Sequence, residues 1–345
     1  MTKFWRVNEN MDSTISGMFG SPEGVGSFVI SLDTELAWGR LNHRDLEEYE
    51  ERFILARDGI KWLLETFEEF SVPATWAMVG HLFLEECSVD SDGVRHPELV
   101  HPTYEWMEGD WYQLDPATNQ VESPEFYGVD ILRDILASSV THEVGSHSFG
   151  HIRFGDPGCS RAAAVADLEY CQQLAGQWEI ELDSFVFPQD RIGHLEVLDK
   201  VGFMTYRGVL PGALPGHGMS RLSYLASCLL GLPAPVGLPR IAYGKLIDVP
   251  LSMHLRHDKP ISSTAGFVPM AAKTRRALGG LRLAASRAEV FHLGLHPIDF
   301  GWNGEGIRKA LRSILSKARD LSDQGELELS TMREVARAFQ NVPGG

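Results

Sequence analysis

Hydrophobic and polar residues follow one another along the chain in blocks that predict strands and helices in alternation. The first block is SFVISLD, residues 27–33, an apolar and β-branched run ending in an acidic residue, which predicts a buried strand. In residues 46–70 apolar positions recur at roughly the helical period and predict an amphipathic helix. VPATWAMVG, residues 72–80, then predicts the second strand.

The same order continues to the C-terminus. Further strands are predicted just before His147 and at residues 183–189, 203–208, 245–253, 288–297 and 325–330. Helices are predicted at residues 124–138, 160–178, 194–202, 219–230 and 331–339. Residues 84–122 show no sustained period and predict a long excursion, a kind of segment that often carries function.

This alternation, without an internal repeat or a linker-like break, predicts one α/β domain with a parallel sheet. Seven or eight strand–helix units favour a barrel. An open doubly wound sheet is the alternative, but the G-x-G-x-x-G fingerprint after the first strand is missing. We expect an N-terminal leader over residues 1–26 and a barrel domain over 27–345, with insertions near 84–122 and 209–243.

Composition narrows the class of partner. The chain has 345 residues, of which 43% are hydrophobic and 23% charged, as in soluble globular proteins. Its formal net charge of −16 argues against a nucleic-acid partner. No basic start precedes an apolar run, and no apolar run approaches the ~20 residues of a membrane span. We therefore expect a cytoplasmic protein without a membrane span, and the sequence does not set its oligomeric state.

The four cysteines predict free thiols. They are scattered along the chain and show no C-x-x-C spacing, and four are too few for a disulfide framework in a chain of this length. This pattern argues against a structural zinc site with thiolate ligands.

Polar residues lie at the ends of several predicted strands, where βα barrels carry their chemistry. These residues are Asp33, Glu35, His147, His151, Asp190, Arg191, Asp248 and His296. Two imidazoles and one carboxylate suit Zn²⁺, Fe²⁺, Co²⁺ or a similar cation, and three protein ligands leave a position for water. The spacing alone is also consistent with structural hydrogen-bonding roles for both histidines and with a capping role for Asp33.

Four segments resemble, in this order, the successive motifs of the polysaccharide deacetylase family, also called the NodB-homology or carbohydrate esterase 4 family. They are SFVISLDTE, PATWAMVGHLF, HEVGSHSFGH and FHLGLHP. PATWAMVG is similar to that family's Ala-Thr-Phe-Phe strand, and HEVGSHSFGH to its His-Ser/Thr-x-x-His metal motif. The resemblance covers roughly residues 27–300. It implies a distorted (β/α) barrel of seven or eight units that holds one divalent metal and hydrolyses an N-acetyl group from an amino sugar.

The resemblance also implies roles for individual residues. His147 and His151 would be metal ligands with Glu35 as the third, Asp33 would be the general base, and His296 the general acid. The metal would be zinc, with cobalt, nickel, iron or manganese as alternatives.

The chain departs from the family pattern at two places. The family's first motif has two adjacent aspartates, whereas here Asp33 is followed by Thr34 and then Glu35, so either Asp33 or Glu35 remains possible as the carboxylate ligand. The family's arginine motif appears as FVFPQDR, without an arginine at the usual position, and Arg191 is the candidate replacement. Asp248 is a further candidate, for orienting the acid or a ligand histidine.

The expected substrate is an acetylated amino sugar that a cytoplasmic enzyme would meet, such as a nucleotide sugar or a lipid-linked precursor. An allantoinase-like hydrolase of a non-sugar amide is one alternative. A barrel without catalysis that binds carbohydrate or a protein partner is another. Trp302 is the candidate for stacking on a sugar ring.

Overall fold

The computed structural model describes residues 24–40, 46–256, 268–301 and 304–341, with side chains from residue 50 onwards in the second range. Residues 1–23 of the predicted leader, and Trp302, lie outside the described residues. No helix within these ranges has the length and apolar character needed to cross a membrane.

The described strands form one curled sheet. They run in the order β6-β7-β5-β4-β3-β2-β1-β9-β8, with β10 beside β1, and their pairings are parallel except for β6 with β7. Their bounds are β1 (Gly26–Thr34), β2 (Thr75–Met78), β3 (Glu143–Ser146), β4 (Ser184–Val186), β5 (Thr205–Arg207), β6 (Arg240–Tyr243), β7 (Leu246–Asp248), β8 (Met253–Leu255), β9 (Val290–Leu295) and β10 (Leu327–Ser330).

One short segment of chain links the two sides of the curled sheet. β7 pairs with β5, β8 pairs with β9, and only residues 249–252 separate β7 from β8. A parallel bridge between Val209 and Leu251 continues the pairing across this gap. The sheet is therefore a (β/α) barrel of the deacetylase type, as predicted, and the predicted strand at 245–253 is two short strands that pair with different neighbours.

Helices follow most of the strands. Their bounds are α1 (Leu46–Phe70), α2 (Val129–Ala137), α3 (Arg161–Gln177), α4 (Leu195–Val201), α5 (Arg221–Leu229), α6 (Met270–Arg287), α7 (Ile298–Gly301), α8 (Glu305–Asp323) and α9 (Met332–Gln340). Three of the described helices begin with a side-chain cap, and Ser220 provides the cap of α5 by accepting a hydrogen bond from the Ser223 backbone. Ser160 accepts a hydrogen bond from the backbone of Ala163 at the start of α3, and Thr331 and Glu334 form a capping box at the start of α9.

Burial is deepest along β1, where all nine residues are buried. β1 pairs with β2, β9 and β10, and a strand covered on both faces reads as a continuous apolar run. The polar residues of β1, which are Ser27, Ser31, Asp33 and Thr34, are buried as well. Buried polar groups need hydrogen-bond partners, so these residues are candidates for a functional site inside the barrel.

The predicted excursion is a packed structure without regular elements. Residues 84–128, all of them described, contain no helix and no strand beyond isolated bridges. Their aromatic side chains Tyr104, Trp111, Tyr112 and Tyr127 are buried. The segment is therefore held by side-chain packing against the barrel rather than by backbone pairing.

Candidate functional site

Three side chains from two strand ends converge at the carboxyl end of the barrel. Glu35 directly follows β1, and His147 and His151 follow β3. The Glu35 Oε2 atom lies 3.1 Å from His151 Nε2 and 3.4 Å from His147 Nε2. Both histidines are buried, while the side chain of Glu35 is 17% exposed to solvent. We call these three residues the Glu35 cluster.

The orientation of His147 fits a metal ligand. Its Nδ1–H donates to the Val186 carbonyl oxygen at 2.8 Å. Its Nε2 is buried and makes no hydrogen bond, so a lone pair faces Glu35. A metal-binding histidine usually donates the N–H of its other ring nitrogen to a backbone carbonyl or a similar acceptor, which fixes the orientation of the ring. The donor set of the Glu35 cluster therefore fits a divalent metal.

Burial and the contacts between the carboxylate and the two imidazoles set the ionisation of the Glu35 cluster. Burial alone would lower the pKa of His147, but the carboxylates of Glu35 and Asp33 beside it raise that pKa above its usual value. Burial alone would raise the pKa of Glu35, but His147 and His151 beside it lower that pKa far below its usual range. Burial lowers the pKa of His151, so this imidazole is neutral. A neutral imidazole and an ionised carboxylate are the forms that bind a metal.

The loop that carries both histidines has an uncommon backbone. Ser148 has φ +68° and His151 φ +58°, in the left-handed region that non-glycine residues rarely adopt. Asp167 of α3 fixes this loop by accepting hydrogen bonds from Ser148 Oγ at 2.8 Å and from the Phe149 backbone at 3.0 Å. Strained residues of this kind concentrate at functional sites, where the surrounding structure holds them in place.

Asp33 lies two residues before Glu35 and has a different partner. Arg207 of β5 donates to both of its carboxylate oxygens, at 2.5 and 2.9 Å, and both side chains are almost fully buried. Burial alone would raise the pKa of Asp33, but the charge of Arg207 holds it well below its usual value. Asp33 is thus an ionised carboxylate engaged by arginine, and Glu35 is the carboxylate that faces the histidine pair.

His296, at the end of β9, is the next neighbour of Asp33. Its Nε2 lies 3.4 Å from Asp33 Oδ2 and 3.2 Å from the Nη2 atom of Arg256. Burial and the nearby charge of Arg256 lower the pKa of His296 to about 3. His296 is therefore neutral at neutral pH and accepts a hydrogen bond from Arg256.

Asp190 and His254 extend this network. Asp190 Oδ1 accepts a hydrogen bond from Arg207 at 3.3 Å, and its Oδ2 lies 3.6 Å from His254 Nε2. The rings of His254 and His296 are 5.3 Å apart. Ionisable side chains thus run without a break from Asp33 through Arg207 and Asp190 to the two histidines.

Arg191 is predicted from the sequence to lie in the site, but in the structure its side chain lies apart from Asp33. The Arg191 side chain is 58% exposed, and its Nε lies 3.5 Å from Asp156 Oδ1. The arginine that contacts Asp33 is instead Arg207 of β5, the strand that pairs with β4.

Asp248 also lies apart from the network. It accepts hydrogen bonds from the Gly208 backbone at 2.9 Å and from Arg240 at 2.9 and 3.0 Å, and it interacts with Tyr206. Tyr206 and Arg207 are consecutive in β5 and so point to opposite faces of the sheet. Asp248 therefore faces away from Asp33.

The sequence reasoning missed Arg207 and His254. Each is a polar residue within a short, fully buried strand, β5 or β8. A charged or ionisable residue inside an apolar run was the available signal, because such a group must be paired when it is buried.

Comparison with known proteins shows the fold. No protein-family model matches the sequence, and no curated protein matches it either. Among solved structures, a protein assigned as a polysaccharide deacetylase from Mycobacterium smegmatis superposes with a TM-score of 0.60 at 14% identity, covering 92% of both chains. A protein assigned as a polysaccharide deacetylase from Pseudomonas aeruginosa PAO1 gives 0.55 at 13% identity, covering 91% of this chain and 90% of the other.

A third structure, Puue allantoinase, gives a TM-score of 0.59 at 12% identity, covering 98% of both chains. At these identities the likeness concerns the fold and leaves the chemistry to be argued from the residues. This chain therefore has the barrel fold of the polysaccharide deacetylases and of Puue allantoinase.

Proposed function

We propose that the protein is a metal-dependent hydrolase of non-peptide amide bonds that removes the acetyl group from an N-acetylated amino sugar. One observation carries the proposal. Glu35, His147 and His151 form a three-ligand set at the carboxyl end of the barrel, and the ionised Asp33 lies next to it. The fold shared with proteins assigned as polysaccharide deacetylases supports the choice of an acetylated sugar as substrate.

Glu35, His147 and His151 would hold the metal. A divalent cation held there would supply Lewis-acid chemistry, polarising the acetyl carbonyl and making the attacking water more acidic. Asp33 accepts the proton of the attacking water, and Arg207 keeps Asp33 ionised for that purpose while fixing the plane of its carboxylate. Hydrolysis then releases acetate and the free amine.

His296 is placed to deliver a proton to the leaving amine. It lies 3.4 Å from Asp33, within reach of the proton that Asp33 has accepted. Burial and the charge of Arg256 lower its pKa, so the imidazole is neutral in the resting protein and has to take up that proton before it can act as the acid. The hydrogen bond from the exposed side chain of Arg256 has to give way when His296 takes up this proton.

Hydrolysis of a cyclic, non-sugar amide is the second candidate. The observation in its favour is the superposition on Puue allantoinase, which covers 98% of both chains. The same base, acid and ligand set serves the opening of a cyclic amide, because both reactions add water to an amide carbonyl and protonate the nitrogen that leaves.

A substrate panel with defined metal tests the proposal. The purified protein is stripped of metal, reloaded with Zn²⁺ or Co²⁺, and incubated separately with N-acetylated amino sugars and with cyclic amides. Metal-dependent release of acetate from the sugars is the expected result. Turnover of cyclic amides alone would replace the deacetylase proposal by the second candidate. No turnover of any amide together with no metal at the Glu35 cluster would overturn both and favour a non-catalytic carbohydrate-binding barrel.

A further inference from the structure

A second group of metal-binding side chains lies where the excursion packs on the barrel. It consists of His81, Cys87, His96 and Asp115, which we call the His81 cluster. Each of the four offers one nitrogen, sulfur or oxygen ligand atom, and these atoms all lie within 4.8 Å of one another. None of the four belongs to the Glu35 cluster or to the Asp33 network.

The spacing of these atoms suits one tetrahedral ion. His81 Nε2 lies 3.3 Å from Asp115 Oδ2 and 3.5 Å from Cys87 Sγ, and Cys87 Sγ lies 3.4 Å from Asp115 Oδ2. With zinc–nitrogen bonds of about 2.0 Å and zinc–sulfur bonds of about 2.3 Å, tetrahedral ligand atoms lie roughly 3.3 to 3.6 Å apart. The fourth ligand, His96, has its Nε2 2.6 Å from Asp115 Oδ2, so it needs to move back by less than about 1 Å.

The hydrogen-bonding of His81 leaves a lone pair facing a carboxylate. Its Nδ1 lies 3.1 Å from the carbonyl oxygen of Phe126, which can only accept, so Nδ1 carries the proton. With the proton on Nδ1, the neutral ring keeps a lone pair at Nε2. This lone pair faces Cys87 Sγ and Asp115 Oδ2, so one cation between the three atoms would contact all of them.

His96 and Asp115 also have hydrogen-bond partners outside the cluster. His96 Nδ1 lies 3.3 Å from Glu98 Oε1, and Asp115 Oδ1 accepts a hydrogen bond from the Ala117 backbone at 3.0 Å. Such outer partners orient the side chains that bind a metal.

Aromatic rings enclose the His81 cluster. The rings of Trp38, Tyr127 and Phe149 lie 4.4, 4.9 and 5.6 Å from that of His81. Four protein ligands in a closed pocket are typical of structural zinc sites, whereas catalytic sites keep a position open.

We propose that His81, Cys87, His96 and Asp115 bind a structural zinc ion that fastens the excursion to the rim of the active barrel. His81 and the loop of the Glu35 cluster are directly joined, because the His81 backbone N–H donates to the Phe149 carbonyl at 2.9 Å. Phe149 lies between His147 and His151 in the chain, and its ring is 4.9 Å from that of His96. The ion therefore stabilises the loop that holds two ligands of the first site.

Metal content provides the first test. After loading with Zn²⁺ and dialysis against metal-free buffer, the Cys87→Ala variant should hold one equivalent less than the unmodified chain. Cys228→Ala is the matched control, because Cys228 is a free, buried cysteine in α5, and it should lose nothing. Equal metal content in the unmodified chain and Cys87→Ala would overturn the proposal.

Cobalt substitution provides a second test that separates the two clusters. Cys87 of the His81 cluster would lose its proton on binding cobalt and coordinate as a thiolate, and the Glu35 cluster has no cysteine, so only the His81 cluster gives a sulfur-to-cobalt charge-transfer band. The band should appear in the unmodified chain, persist in His147→Gln and vanish in Cys87→Ala. Its absence from the unmodified chain would overturn the proposal even if Cys87→Ala fails to fold, and the result does not depend on any hydrolase activity.

Discussion

The Glu35 and His81 clusters are built from nearly the same side chains and differ in what surrounds them. Each has two imidazoles and a carboxylate, and the His81 cluster adds a thiol. Asp33, Arg207 and His296 border the Glu35 cluster, whereas aromatic rings border the His81 cluster. Ligand type alone therefore does not distinguish a reactive centre from a structural one. An open position and neighbouring proton-transfer groups do.

Replacing Asp33, the proposed general base, should have the largest effect, because it should reduce catalysis without changing metal binding at either cluster. We expect Asp33→Asn to lower kcat by about 10²- to 10⁴-fold, the usual contribution of a general base, because asparagine cannot accept the proton. Zinc content should be unchanged at both clusters. Steady-state assays and metal analysis on the same preparation check this. Full activity, or loss of metal as the only defect, would contradict the role of Asp33.

Arg207→Gln should act on both stability and pH dependence. It leaves Asp33 buried without its cation, which costs about 3–5 kcal/mol for a buried pair. In the native protein the pKa of Asp33 is depressed, so its contribution to stability is present above the unfolded pKa of about 4 and is lost as pH falls through the lower folded value.

Without Arg207 the pKa of Asp33 rises, and the acid limb of the pH–rate profile should move to higher pH. Denaturant unfolding and a pH–rate profile measure the two effects. An unchanged acid limb in a folded variant would argue against Arg207 as the group that keeps Asp33 ionised.

Brief treatment with a chelator should separate the two clusters kinetically. The Glu35 cluster retains exposure at its carboxylate, whereas the ligands of the His81 cluster are largely covered, so we expect the first metal to leave sooner. In the cobalt-loaded protein, activity should fall while the thiolate charge-transfer band remains. Loss of the band before activity would reverse the assignment of open and closed sites.

Arg191→Gln should have the smallest effect and serves as the control for Arg207→Gln. Its side chain is largely exposed and touches no group of the Asp33 network, so stability should change by no more than about 0.5 kcal/mol. Activity and the acid limb should stay as in the unmodified chain. A loss of activity comparable to that of Arg207→Gln would restore Arg191 to the site.

The barrel could be predicted because its main strands are apolar runs of ordinary length. β1 was expected at residues 27–33 and spans Gly26–Thr34, and the helix expected at 160–178 spans Arg161–Gln177. β7 and β8 could not be separated in advance, since one apolar run supplies both. Their division is set by pairing with β5 on one side and β9 on the other, which is long-range information.

The candidate ligands Glu35, His147 and His151 could be predicted because strand ends and a compact motif bring them together. The partner of Asp33 could not, because Arg207 is 174 residues away in the chain. The sequence does not reveal the His81 cluster for a different reason. His81 lies in a short 3₁₀ helix and the other three ligands lie in a segment without regular structure, so no periodic pattern brings them together. The scattered cysteines also argue against thiolate ligation.

The identity of the carboxylate ligand is the central question, and metal binding by Glu35→Gln and Asp33→Asn answers it directly. Cobalt bound at equilibrium is measured for each variant, with the thiolate band used to separate the two clusters. We predict that Glu35→Gln loses the equivalent that does not contribute to the band, while Asp33→Asn retains it. Retention in Glu35→Gln together with loss in Asp33→Asn would contradict the metal centre described above.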